Sequence, residues 1–168
     1  MLRAIFIYLS KAAWARHLVT RWSFAWRAAS RFVAGENLDD AIRAIQVLNA
    51  RGINAPLDHL GEHTTNEEEA RRAADDIINA IDAIDASGVR ANVSIKLSQI
   101  GIGVDEALCK QHLHRILEHA QQRANFVRID MEDSPWVDQT LALCRQMCEL
   151  GFKNTGVVIQ SYLYRSAA

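Results

Sequence analysis

The spacing of apolar and polar positions changes several times along the chain, and each change marks an element. Over residues 11–33, Trp14, Leu18, Trp22, Trp26, Ala29 and the Phe32–Val33 pair recur every three or four positions. That period predicts an amphipathic helix with arginines around it. Beyond Gly35, long helical patterns alternate with short apolar runs. Asn37 is placed to cap a helix over 38–49, with Ala41, Ile42, Ile45 and Leu48 on one face and Gly52 past its end. Residues 53–60 read as a strand. Asn66 caps a helix running to 86, with Glu67, Glu68 and Glu69 where the helix dipole favours acids and Gly88 as its stop. Strands are predicted at 91–97 (ANVSIKL), 126–131 (FVRIDM) and 156–163 (GVVIQSYL). Between them lie helices from Asp105 to 121 and from Pro135, at an early helical position, to 150, where Gly151 ends the second.

Strand and helix in strict alternation with short connections predict a parallel sheet covered by helices. The strand segments start about 35 residues apart, the period of a (β/α) barrel unit. The expected fold class is therefore α/β, a parallel barrel of the TIM type with about half of its units here, preceded by N-terminal helical structure. No glycine-rich phosphate fingerprint follows the first strand, which disfavours a dinucleotide fold; Gly101-Ile102-Gly103 reads as a turn.

Charge adds a second division. The chain carries a net charge of −1, so no bulk field draws it to nucleic acid. Residues 1–35 nevertheless hold Arg3, Lys11, Arg16, Arg21, Arg27 and Arg31 with no acid, a charge of +6, and the remainder carries −7. Two regions are expected: a basic amphipathic segment over 1–35 and the barrel portion over 36–168. The segment fits a docked helix with a solvated basic face, a helix that touches an anionic membrane surface, or a basic presequence. Cys109, Cys144 and Cys148 have no zinc spacing, and Cys144 and Cys148 sit one helical turn apart, which fits a reducing compartment. The apolar run at 4–9 is far too short to span a bilayer and lacks a signal cleavage site.

Chemistry is sought at the C-terminal ends of the strands, where parallel barrels build their sites. Those ends carry Asp58, His59 and Glu62; Lys96, Ser98 and Gln99; Asp130, Met131, Glu132 and Asp133; and Gln160, Tyr162, Tyr164 and Arg165. The strand starts, Ile53, Ala91, Phe126 and Gly156, are bland. Lys96 and Asp130 hold equivalent places on neighbouring strands and are expected to face each other in the barrel mouth. Such a pair could fix a substrate's charge, and a structural ion pair tying two strand ends would give the same pattern. Strand alternation sends Asp130 and Glu132 to one side, Met131 and Asp133 to the other, and divides Asp58 from His59. No convergent metal set is expected. His112, His114 and His119 fall on a helical pattern and read as packing or surface residues.

Five strings carry a resemblance: FVAGE (32–36), LDHLGE (57–62), VSIKLSQIG (93–101), VRIDMEDS (127–134) and GVVIQSYLYRS (156–166). In this order and spacing they resemble the bacterial FAD-dependent proline dehydrogenase family across essentially the whole chain. The resemblance implies a distorted barrel holding non-covalent FAD, which oxidises L-proline to Δ1-pyrroline-5-carboxylate and passes electrons to quinone at the membrane. It implies that Lys96 contacts proline, that Asp130 pairs with it beside the flavin, and that Met131 and Gln160 contact FAD. Glu62 is similar to a first-loop acid that closes over bound proline. A cytoplasmic protein peripheral to the inner membrane is implied, which gives the basic segment a purpose.

The chain ends after the fourth strand, and the family's later strands, with their flavin-phosphate contacts and carboxylate-clamping arginines, are not in it. The expectation is an N-terminal half-barrel that is inactive alone, with an apolar edge and an apolar face uncovered. Two other readings stay open. One is a non-catalytic half-barrel that forms a homo-oligomer or joins a complementary C-terminal polypeptide. The other is a Schiff-base aldolase-type barrel with Lys96 as nucleophile.

Overall fold

The computed structural model describes residues 34–35, 37–59, 61, 64–161 and 164–167. The helix expected over 11–33 lies outside them, as do Glu62 and Tyr162. The chain divides into units at residues 1–44 and 45–168, and the second contains the whole sheet. Among the described residues, helices and strands alternate in order: α1 (Leu38–Ala50), β1 (Ala55–Asp58), α2 (Glu67–Ser87), β2 (Ala91–Ile95), α3 (Glu106–Gln122), β3 (Val127–Ile129), α4 (Val137–Glu149) and β4 (Thr155–Val157). The strands are parallel and lie in the order β1-β2-β3-β4.

Local chemistry fixes the helix ends. The Asn37 side chain accepts from the Asp40 amide at 3.0 Å, Asn66 from Glu69 at 2.9 Å, and Asp105 from Leu108 at 2.7 Å. Gly88 closes α2 in the left-handed conformation, φ +64°, that side-chain-bearing residues avoid. The helix expected to open at Pro135 instead begins with a 3₁₀ turn, Ser134–Trp136, and becomes α-helical at Val137. Proline's fixed φ and missing N–H suit such a tight first turn.

Every strand is shorter than its apolar run. Leu97, Ile100 and Ile102 are buried, yet they belong to the loop after β2 and not to the sheet. Gly101 lets that loop pack down. Its φ is +104°, and a Cβ there would lie 3.1 Å from the Cβ of buried Ala70 on α2.

The two faces of the sheet differ. Val93, Ile95, Val127 and Ile129 are buried on one face. Helix α2 packs against β2 and α3, and α4 packs against β4. Helix α2 supplies Ala70, Ala74, Ile77, Ile81 and Ile84 at three- and four-residue spacing, and α3 supplies Cys109, Leu113, Ile116, Leu117 and Ala120. Burial of each larger aliphatic side chain contributes about 1.5–3 kcal/mol. The face opposite was expected to be apolar and is instead polar for most of its length. Register aligns Asp58, Ser94, Arg128 and Gly156 in one row across all four strands. Pro56 on β1 and Phe126 at the start of β3 are apolar positions on that face, and the Phe126 ring lies 3.1 Å from the place a Gly156 Cβ would take. Among the described residues no helix is long and apolar enough to cross a membrane.

Candidate active site

The strand exits bring their polar residues together in a chain of alternating charge. Lys96 follows β2 directly, and its Nζ lies 3.0 Å from Asp58 Oδ2 at the end of β1 and 3.9 Å from Asp130 Oδ2 beyond β3. Asp130 Oδ1 in turn accepts from Arg128 Nε at 2.8 Å. Arg128 Nη2 donates to the buried Ser94 hydroxyl at 2.9 Å, across the register pair that joins β2 to β3. Lys96 and Asp130 keep only 18% and 19% of their side-chain surface exposed, so solvent screens their interaction less than it would a surface pair.

The loop after β2 sets the position of Lys96. Its amide donates to Gln99 Oε1 at 2.8 Å, and Gln99 Nε2 donates to the His59 carbonyl at 2.5 Å. The Ser98 carbonyl accepts from both the amide and the hydroxyl of Thr64, at 3.2 and 2.9 Å. The amide and hydroxyl of Ser98 both donate to the Glu132 carboxylate. Loops leaving three consecutive strands are thus tied through one buried turn. Beneath it, burial pushes the Cys109 thiol up to about 12, aided by the charges of Glu132 and Glu106.

These contacts revise the expected pairing. Lys96 and Asp130 do meet, but among the described residues the carboxylate nearest the ammonium belongs to Asp58. Glu132 does not share a side with Asp130 by strand alternation. The strand stops at Ile129, and Glu132 turns to Ser98. Among the described residues no group of three or more His, Cys, Asp or Glu is arranged to hold a metal. His112 Nδ1 lies 3.1 Å from the Ile100 carbonyl, His114 stacks edge-on against Phe152, and His119 Nε2 lies 2.9 Å from Asp82 Oδ1. Met131 and Gln160 sit half-buried at the exits of β3 and β4.

A family model described as proline dehydrogenase matches residues 41–168. The chain belongs to the proline dehydrogenase family. It is 39% identical over 170 residues to proline dehydrogenase 1 of Bacillus subtilis, covering 99% of this chain and 55% of that protein. It is 43% identical over 145 residues to the proline dehydrogenase of Deinococcus radiodurans, covering 84% of this chain and 47% of that protein. The chain spans about half the length of the curated relatives it matches. Among solved structures, proline utilization A from Bdellovibrio bacteriovorus inactivated by N-propargylglycine superposes with a TM-score of 0.78 at 21% identity, over 84% of this chain and 18% of that one. A Bradyrhizobium japonicum proline utilization A mutant gives 0.67 at 22% identity, over 91% and 18%.

Within this proline dehydrogenase fold, Ser94 and Arg128 are the participants that the strand-exit reading passed over, and Asp58, which it named, was not matched to Lys96. Arg128 is two residues before Asp130 in an extended run, so the two share a face, and that parity was available in the sequence. Ser94 stands in the same relation to Lys96.

Proposed function

We propose that this protein oxidises L-proline at the ring carbon beside nitrogen to give Δ1-pyrroline-5-carboxylate, using non-covalently bound FAD. The observation that carries this reading is the half-buried Lys96 set against Asp130 at the exits of adjacent strands, in a chain of the proline dehydrogenase family. Zwitterionic proline brings a carboxylate and an ammonium on one carbon. Lys96 Nζ and Asp130 Oδ2, 3.9 Å apart, offer the complementary charges at comparable separation. Lys96 neutralises the carboxylate, and Asp130 holds the amine and so fixes the face of the ring. Asp58, 3.0 Å from Nζ, holds the Lys96 ammonium in place.

The residues present fit a flavin. Gln160 both donates and accepts hydrogen bonds, and Met131 is a polarizable thioether, a pairing that suits the polar edge and flat face of a fused aromatic ring. When bound, FAD supplies the hydride acceptor. Electrons are proposed to leave to quinone at the membrane, with the protein cytoplasmic and peripheral to the inner membrane. The acid-free basic stretch over residues 1–35 supports that location.

The aldolase-type alternative is less favoured. Imine formation needs a neutral amine, whereas Lys96 lies within 4 Å of the carboxylates of Asp58 and Asp130, the setting of a paired ammonium. The test uses the full-length gene product. It is expected to purify with flavin absorbance and to reduce an artificial electron acceptor when proline is added. Borohydride with carbonyl compounds is expected to leave Lys96 unmodified. A colourless protein without proline-dependent reduction would overturn the reading.

A further inference from the structure

We infer that Arg128 is a positioning residue for proline oxidation, acting through Asp130; this rests on the function proposed above. Asp130 follows β3 with its amide still bonded to the Ile95 carbonyl at 2.8 Å, but that bond does not fix its carboxylate. Arg128 supplies the constraint. Its Nε takes Asp130 Oδ1 at 2.8 Å, while Nη2 reaches Oδ2 only at 3.5 Å. Oδ2 is the oxygen turned toward Lys96. One oxygen is held and the other is presented to the mouth.

The guanidinium is itself anchored. Nη2 donates to the hydroxyl of Ser94, which is 2% exposed and sits in register with Arg128 on β2. On the other flank the register partner is Gly156, which offers no side chain to hold the guanidinium toward β4. The planar fork therefore spans Ser94 and Asp130 at once, a geometry that a lysine ammonium on a flexible stem reproduces only in part. The guanidinium's hydrogen bonds run to Asp130 and Ser94, so its effect on turnover is assigned to the carboxylate it holds.

The experiment is a double-mutant cycle in the full-length, flavin-loaded gene product, with R128M, D130N and the double variant compared in kcat/KM per bound flavin. R128M is expected to lose about tenfold, the scale of one hydrogen bond to a charged group. R128K should recover part of that loss. In the D130N background, R128M should change kcat/KM by less than about twofold, because the carboxylate charge through which Arg128 acts is already gone. Melting temperatures are read beside the kinetics. If R128M does not fold, R128K carries the same cycle.

An R128M enzyme with normal kcat/KM and a lowered melting temperature, beside an impaired D130N, would overturn the proposal and leave the function standing. Losses that multiply in the double variant would also overturn it, since Arg128 would then act independently of Asp130. A D130N enzyme of normal activity would remove the reading on which the proposal rests.

Discussion

Both ends of the sheet are rich in polar side chains, yet the two ends use them differently. At the strand starts they bond mainly to backbone. Asn49 Nδ2 donates to the carbonyls of Ile53 and Arg90, and Asn125 Nδ2 donates to Ala91. Asn154 Nδ2 donates to Leu117 and Asn125, and Arg90 bonds the Asn49 carbonyl. At the strand exits, Asp58, Lys96, Asp130, Arg128 and Ser94 bond chiefly to one another. Side chains spent on backbone groups replace missing ladder bonds and close connections. Charged side chains matched against each other in a partly closed mouth can exchange a partner for a ligand without breaking the fold. Polarity alone does not mark a site; the partner does.

The largest test of this contrast is kinetic. In the full-length product, Lys96→Ala and Asp130→Ala are each expected to lower kcat/KM for proline by more than about tenfold, roughly 1.4 kcal/mol of transition-state stabilisation. The double variant should lose less than the product of the two, because the two charges are expected to act on the substrate as one unit. Unchanged kinetics with lowered melting temperatures would make the exits architectural like the starts.

A smaller effect, of the opposite kind, is expected at the starts. Asn125 is buried, and its amide satisfies the Ala91 carbonyl. Asn125→Ala should cost about 1–3 kcal/mol in denaturant unfolding while leaving kcat/KM per folded enzyme near normal. A tenfold kinetic loss without a stability change would erase the distinction between the ends.

The smallest expected effect is no change at all. With its thiol pushed up to about 12, Cys109 should resist a thiol reagent in the native protein between pH 7 and 9, whereas exposed Cys148 is open to it. Cys109 is therefore a reporter of the exit loop above it, since its Sγ lies 3.8 Å from the Leu97 carbonyl. Rapid native labelling of Cys109 would mean that the loop opens readily.

The architecture was legible because its signals are local. Asn37, Asn66 and Asp105 announce helix starts, Gly88 announces an end, and apolar runs between them can only be strands. Strand lengths were not legible. Leu97, Ile100 and Ile102 look like strand residues, and only the approach of Gly101 to Ala70 shows that they fill a loop. Lys96 and Asp130 stood out as charges ending apolar runs. Asp58 stood out only as one polar residue at the end of the first strand. Its bond to Lys96 depends on the pairing of β1 with β2, which no local pattern records. Gln99 and Glu132 were visible as polar residues, but what they hold is set by three loops meeting in space.

Neighbours in the sheet are also neighbours in the chain, so a growing polypeptide always presents a strand next to the one made before it. Ala55 meets Ala91, Val93 meets Val127, and Val127 meets Thr155, each across a single helical crossover. The entropy lost in closing such a loop rises only slowly with its length, so no step is much harder than the last. During synthesis the sheet can extend one unit at a time from its N-terminal side. Each stage exposes an unpaired strand edge to other nascent chains, and strands of three to five residues keep that edge short.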